Sequence, residues 1–333
     1  MNYTDSSRVP LCTLPTPLHK LENISRKLST DVWIKRDDLT GFALGGTKAR
    51  KAEFLMADAL QRSCDLIITE GPIQSNHARV IAAAARVISK ECHLFLSGQK
   101  PEQPTANFML DLLADAKIHL VNYEARSAAM EAFAREMQEA GRKPYVIPVG
   151  GSNAVGSRGE VSCFEELERQ LQCLPKKQTV LVVATSRGGT YAGILAGKAL
   201  TGSKVKLLGV CVGAGFHAAR DPNLGDSICA LANAVVKALG LSKEFKRDDA
   251  PLNSDYIGEG YDIPSDASTP ALMELWESEG ILLDPTYTSK AMGGLIDLAR
   301  KGEWRDERVV FLHTGGTPSV FDSRTVLPET RYS

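Results

Sequence analysis

Short runs of β-branched and aliphatic residues alternate along this chain with longer stretches in which apolar positions recur every three or four residues. The short runs read as buried strands and the long ones as amphipathic helices. Strands are predicted at 32–35, 65–69, 93–96, 117–121, 144–147, 179–184, 205–210 and 308–312. Helices are predicted at 48–61, 76–89, 106–114, 126–140, 158–172, 190–200, 226–239, 269–279 and 288–301. In the first helix Ala52, Leu55, Met56, Ala59 and Leu60 form one stripe. Strand, helix, strand, with strands that are apolar throughout, predicts an α/β fold of mostly parallel sheets covered by helices on both faces. The Gly-Gly-Ser-Asn turn at 150–153 is the expected seam between two α/β units.

Composition narrows the function classes. At 333 residues the chain is long enough for one large domain or two. Hydrophobic residues are 43% and charged residues 24%, which excludes general disorder. With 39 basic against 40 acidic residues there is no cationic excess to hold nucleic acid. No apolar run approaches the ~18 residues of a membrane span. The opening MNYTDSSRVP has no basic stretch followed by an apolar core, so no secretory signal is expected. The cysteines at 12, 64, 92, 163, 173, 211 and 229 are widely spaced, with no C-x-x-C pair. Neither a disulfide framework nor a metal site is expected; buried free thiols in a reducing cytoplasm are.

In parallel α/β sheets ligands bind at the carboxyl ends of strands, so the turns that follow strands carry the candidate chemistry. Ser186-Arg187-Gly188-Gly189-Thr190 lies between a buried strand and a helix. Backbone N–H groups there suit a phosphate, although an ordinary tight turn has the same shape. Gly45-Gly46-Thr47-Lys48 opens a helix with a lysine, either a surface charge or an amine poised for a Schiff base. Lys51 follows one turn on, where a second cation meets a phosphate. Gln74-Ser75-Asn76-His77 opens the Ala-rich helix; Ser75 suits an N-cap, and the four polar side chains together suit a carboxylate. His313-Thr314-Gly315-Gly316-Thr317 follows the last strand and offers a hydroxyl to a heterocycle. Residues 213–218 fit G-x-G-x-x-A, but Arg220-Asp221-Pro222 interrupts the helix that a dinucleotide fingerprint needs.

Taken in order with Pro15-Thr16-Pro17-Leu18, Ile34-Lys35-Arg36-Asp37-Asp38, Pro148-Val149-Gly150-Gly151-Ser152 and Asp284-Pro285-Thr286-Tyr287-Thr288, these turns form a specific set. The set resembles the pyridoxal-phosphate enzymes of the tryptophan-synthase-β fold (fold type II). Within them it is similar to the branch holding D-cysteine desulfhydrase and aminocyclopropane-carboxylate deaminase. The resemblance covers about residues 12–322. It implies two open, twisted, mostly parallel sheets. Residues 1–50 and 160–333 would form a large cofactor domain, with 51–159 inserted as a small one. A homodimer acting on a small amino acid is also implied.

The resemblance assigns roles. Lys48 matches the lysine that bonds pyridoxal 5'-phosphate, and Lys51 with Ser186, Arg187, Gly188, Gly189 and Thr190 match its phosphate contacts. Asn76 matches the amide at the ring oxygen and Thr314 the group at the ring nitrogen. Ser75, Asn76 and His77 match the surroundings of the substrate carboxylate, and Tyr261 and Tyr287 the two active-site tyrosines. Thr47, Arg187 and Glu160 depart from the family pattern of Asn, a small residue and Tyr. Two positions expected to face substrate separate the branches: ring-opening deaminases carry Glu after the active tyrosine and Leu before the final Gly-Gly, and here stand Thr288 and Thr314. The reading that follows is α,β-elimination from D-cysteine to pyruvate, sulfide and ammonia, with Lys48 as base, Ser75 at the carboxylate and Tyr287 at the leaving sulfur. Ring-opening deamination, L-cysteate sulfo-lyase activity, and a non-catalytic binder of cofactor or amino acid are the alternatives.

Overall fold

A computed structural model describes residues 8–213 and 221–322. The chain opens with β1 (Leu18–Lys20), α1 (Glu22–Leu28) and β2 (Asp31–Lys35). Next come α2 (Thr47–Gln61), β3 (Leu66–Pro72), α3 (Asn76–Val87), β4 (Glu91–Ser97), α4 (Ala106–Leu113), β5 (Lys117–Leu120), α5 (Arg126–Glu139) and β6 (Pro144–Ile147). The rest holds α6 (Arg158–Gln172), β7 (Thr179–Thr185), α7 (Gly189–Thr201), β8 (Lys206–Cys211), α8 (Leu224–Ala238), β9 (Leu252–Asn253), α9 (Ser268–Glu279), α10 (Thr288–Arg300) and β10 (Arg308–Leu312). The predicted strands and helices all occur, with ends shifted by up to three residues. The elements β1, α1 and β9 were not predicted.

Two sheets form. One has the order β1-β2-β10-β7-β8-β9 and the other β5-β4-β3-β6. All pairings are parallel except β1 with β2. Helical crossovers enforce this, because a parallel neighbour cannot be reached by a hairpin. The pleat then divides each strand between two cores. On β10, Val309 and Phe311 join a cluster with Ile24, Leu275 and Leu295 from α1, α9 and α10. Val310 and Leu312 join the opposite cluster with Phe164, Leu195 and Val235 from α6, α7 and α8. In the smaller sheet Ile67 packs with Leu55 and Ile81 on one face, and Ile68 with Met130 on the other. Five of the seven cysteines are buried, all are free, and Cys173 is exposed.

A buried ion network ties the two sheets beside the site. Arg50 on α2 donates Nε and Nη2 to Asp37 at 2.7 and 2.8 Å, and Nη2 to Glu166 of α6 at 3.1 Å. Lys35 Nζ pairs with the same Glu166 and donates to the Thr16 carbonyl at 2.7 Å. Burial alone would raise the Asp37 pKa, but the Arg50 charge and hydrogen bonds hold it below the usual carboxylate range. Removing one member of such a set costs about 3–5 kcal/mol, since a buried charge is left alone. The network fixes α2 and hence the turn at its start.

Candidate active site

The turns after β2, β3, β7 and β10 converge on one cavity, lined among others by Lys48, Ser75, Gly189, Tyr287 and Thr314. The first turn needs its glycines. Gly45 has φ +73°, and a Cβ there would sit 1.9 Å from the Asp38 carbonyl. The chain then enters α2 with Thr47 N–H on the Thr314 carbonyl at 3.0 Å, which docks the start of α2 on the turn after β10. Lys48 lines the cavity and Lys51 is fully buried one turn on. Lys51 Nζ donates to the Gly150 carbonyl at 3.3 Å. Burial lowers the pKa of both lysines, and the Lys48 charge lowers that of Lys51 further. A lysine so shifted presents more of the free amine that attacks an aldehyde.

Glu160 lies beneath this pair. It is fully buried, and neither carboxylate oxygen has a hydrogen-bond partner. Burial pushes its pKa up to about 7, with Lys51 opposing and Asp37 adding to the rise. Its carboxylate, that of Asp37 and the Cys163 thiol lie within 4.8 Å of one another, but Arg50 already holds both Asp37 oxygens. The folded chain therefore holds a proton on Glu160 that the unfolded chain has released above its ordinary value of 4.5. Stability should fall as pH rises through the window from 4.5 to about 7. In Glu160→Gln that part of the fall should vanish; melting temperatures of both proteins across the window, plotted as their difference, check it. A difference that does not change with pH would refute the assignment.

The turn after β7 is built for an anion. Gly188, at φ 80°, caps α7, and the first bond inside that helix is Ala192 N–H to the Gly188 carbonyl at 2.8 Å. The N–H groups of residues 189–191 therefore precede the helical ladder, at its positive end. A Cβ on Gly189 would lie 2.5 Å from Ser152 Oγ and 2.8 Å from Lys51 Nζ, so this residue leaves a cradle between amides, hydroxyl and ammonium. Ser186 Oγ donates to the Gly213 carbonyl at 2.5 Å, which braces the turn. Arg187 goes elsewhere. Its side chain is exposed and donates from Nη2 to the Tyr123 phenol at 3.2 Å. The guanidinium lies on the tyrosine side of the cavity, away from the cradle at Gly189, so the expectation that the Arg187 side chain meets the phosphate is corrected.

Ser75 caps α3, accepting from Ala78 N–H at 3.1 Å. Asn76 lines the cavity, and its Oδ1 accepts from Asn107 Nδ2 at 2.9 Å. That bond turns the Asn76 amide N–H₂ outward as a donor. Gln74 is not part of the site: its Oε1 accepts the Asn107 N–H at 2.9 Å, at the start of α4. His77 is buried with Nε2 2.9 Å from Thr69 Oγ1. Thr69 spends its hydroxyl proton on the Ile147 carbonyl, so Nε2 carries the imidazole proton and Nδ1 is an acceptor. Burial and the charges of Lys48 and Lys51 hold the His77 pKa well down, so the ring is neutral. A neutral Nδ1 has no proton to give a carboxylate, so at the lining of the cavity His77 would offer one its backbone N–H at the start of α3 rather than its ring.

The tyrosine end is held by Asp284, a residue with no role in the sequence reading. Its carboxylate accepts from the N–H groups of Thr286, Tyr287 and Thr288 at 3.0, 2.8 and 2.8 Å. Tyr261 and Tyr287 meet edge to face and share a hydrogen bond between phenols. Burial raises both phenol pKa values, so both stay protonated. Buried Lys290 donates to the carbonyls of Ile257 and Gly260 at 2.7 and 2.6 Å, anchoring the loop that carries Tyr261. Thr288 is fully buried off the cavity and donates Oγ1 to Asp284 at 2.6 Å. The expectation that it faces substrate is corrected: the Asp284 cap captures its hydroxyl. Thr314 does line the cavity, half-buried. Of the G-x-G-x-x-A stretch, residues 214–218 lie outside the described residues.

The family model of pyridoxal-phosphate dependent enzymes matches residues 9–315. The chain belongs to this family. It is 38% identical over 323 residues to a putative 1-aminocyclopropane-1-carboxylate deaminase of Pyrococcus abyssi, covering 95% of this chain and 94% of the relative. It is equally 38% identical over 327 residues to a D-cysteine desulfhydrase of Klebsiella pneumoniae, covering 96% and 97%. The crystal structure of an ACC deaminase homologue superposes with a TM-score of 0.86 at 36% identity, covering 95% and 94%.

The cofactor of this pyridoxal-phosphate enzyme is pyridoxal 5'-phosphate, and the cavity fits it: the cradle at Gly189 has the donors a phosphate needs. Gly189→Asp should weaken cofactor binding by at least about a hundredfold, since it fills that cradle and sets a carboxylate against a phosphate. Fluorescence titration of the apoprotein with cofactor checks this; an unchanged affinity would remove the turn from the site. No helix among the described residues is long and apolar enough to cross a membrane.

Proposed function

We propose that this enzyme eliminates sulfide from D-cysteine, giving pyruvate, hydrogen sulfide and ammonia with uptake of one water. Lys48 would hold the cofactor covalently. Lys51, Thr190 and the amides of 188–190, with Ser186 bracing their turn, would take its phosphate. Asn76 would take its ring oxygen and Thr314 its ring nitrogen. Bound, the cofactor supplies an aldehyde carbon and a ring that accepts charge from the substrate's Cα. Ser75 and the start of α3 receive the substrate carboxylate. The Lys48 amine, its pKa lowered by burial, takes the Cα proton. The Tyr287 phenol, protonated and steadied by Tyr261, gives a proton to the departing sulfur.

The observation that carries the choice of substrate is Thr314. Its side chain lines the cavity with a hydroxyl where ring-opening relatives of the branch carry leucine. The D-cysteine desulfhydrase relative supports the same choice, while the deaminase relative supports ring opening at equal identity. Assay of the cofactor-loaded protein decides. Sulfide and pyruvate from D-cysteine are expected, with little product from aminocyclopropane carboxylate. A higher kcat/KM for the cyclopropane substrate would overturn the reading. The division into a domain of 1–50 with 160–333 and an inserted 51–159 belongs to the same proposal, supported by the separate four-stranded sheet. So does a cytoplasmic homodimer, supported by the resemblance and by the free, mostly buried thiols.

A further inference from the structure

His313 has no part in the elimination scheme, yet it joins the turns that supply the parts. It is fully buried, while the three residues after it, Thr314, Gly315 and Gly316, line the cavity. Its N–H bonds the Lys35 carbonyl at 2.9 Å, and its carbonyl accepts the Asp38 N–H at 3.0 Å. The ring makes two more bonds. Nε2 lies 3.0 Å from the Leu282 carbonyl, and Nδ1 lies 3.2 Å from the Gly315 N. A carbonyl only accepts and an amide only donates, so these neighbours assign the imidazole proton to Nε2 and leave Nδ1 an acceptor. The Asp38 carboxylate stands 3.9 Å from Nε2 and already accepts from Arg36 at 2.7 and 2.9 Å.

A bond from a side chain to the N–H two residues on fixes a turn, as Asx side chains do elsewhere. Here the residue inside the turn is Thr314. Its carbonyl accepts the Thr47 N–H at 3.0 Å, so its backbone is held from His313, from Gly315 and from the residue before Lys48. The turn is also wedged. A Cβ on Gly315, at φ 89°, would lie 2.5 Å from the Gly46 Cα, and one on Gly316 would lie 2.7 Å from the Asp284 Cγ. Gly46 leads into Lys48, and Asp284 caps the backbone of Tyr287. The bond to Leu282 ties the His313 ring to the same segment as Asp284.

We propose that His313 is a positioning residue: through the bond from its ring to Gly315 it sets the Thr314 hydroxyl at the cofactor's ring nitrogen. It touches neither cofactor nor substrate. The inference rests on the proposed function for the place of Thr314, and on the hydrogen bonds of His313 for the rest.

The test splits the two bonds of the ring. His313→Asn puts an amide oxygen near the place of Nδ1, keeping the acceptor for Gly315 and losing Leu282. His313→Gln reaches Leu282 with an amide N–H and gives up Gly315. Each loses one buried hydrogen bond, so the melting temperatures should fall alike. Titration of each apoprotein with pyridoxal 5'-phosphate, read by fluorescence, should separate them. Affinity should weaken about fivefold in His313→Gln, the size of one net hydrogen bond, and stay within about twofold in His313→Asn. The visible absorption band of the bound cofactor should shift in His313→Gln alone. Thr314→Val removes the hydroxyl and keeps the shape, so it should also weaken binding about fivefold. The double variant with His313→Gln should be no weaker than either single one, because both remove the same contact. Equal losses in His313→Asn and His313→Gln would reduce His313 to a structural residue and overturn the proposal. So would effects that multiply in the double variant, or a Thr314→Val protein with unchanged affinity and spectrum. None of these readouts uses D-cysteine. Sulfide release together with multiplying effects would sink the role of His313 and keep the elimination reading. Absence of sulfide release with the stated pattern of affinities would do the reverse.

Discussion

Lys48→Ala should lose elimination activity by at least about a thousandfold while the fold survives. The lysine opens α2, and alanine is the best helix former, so the substitution costs the helix nothing. The loss should be chemical. Lys48 would supply both the covalent hold on the cofactor and the base at Cα. The competitor is Lys51. Its ammonium points at the Gly150 carbonyl and the cradle of Gly189, where a phosphate would hold it charged. Borohydride reduction of the cofactor-loaded protein, followed by peptide mapping, reads the assignment. Wild type should carry the reduced adduct on Lys48 and the variant should carry none. An adduct on Lys51 in wild type would reverse the two lysines. Circular dichroism and melting temperature, unchanged in the variant, separate this outcome from unfolding.

Much of this site could be read from residue order because the chemistry clusters where strands end. Glycines at 45, 46, 188 and 189 and polar residues at 75–77 mark turns that regular packing does not demand. The helices and strands between them were legible because burial on both faces leaves long apolar runs. What escaped was short or non-local. The strand β1 has three half-buried residues and β9 has two, too few for a period to show. The helix α1 has Leu21 at its N-cap, which offers no side-chain cap, and forms through its contacts with α9 and β2. Asn107 orients Asn76 across 31 residues of sequence, and Arg50 meets Glu166 across 116. No local pattern carries such pairings. Thr288 was misplaced for a geometric reason. It adjoins Tyr287, but neighbours at a helix start point about 100° apart, so sharing a motif does not mean sharing a cavity.

That geometry decides the last prediction. Thr288→Glu, the change that would copy ring-opening deaminases, should not convert the substrate preference. It should destabilise the protein by about 3–5 kcal/mol, because it forces a second carboxylate against Asp284 in a dry site. Thr288 now gives its hydroxyl proton to Asp284 Oδ1 at 2.6 Å and accepts the Asp284 N–H at 2.7 Å. Glutamate has no proton to give and adds bulk where the side chain is fully buried. The Asp284 cap sets the backbone of Tyr287, so its loss should also lower kcat for D-cysteine. Thr314→Leu is the contrasting case. It lines the cavity, so the fold should hold, and the loss of the hydrogen bond proposed from Thr314 to the cofactor ring should reduce kcat/KM by about ten- to a hundredfold. Any gain of activity on the cyclopropane substrate should come from this variant. Denaturant midpoints separate the two: a fall for Thr288→Glu, none for Thr314→Leu. A stable Thr288→Glu enzyme with new ring-opening activity would show that this side chain reaches the substrate after all, and the orientation argued from Asp284 would fail.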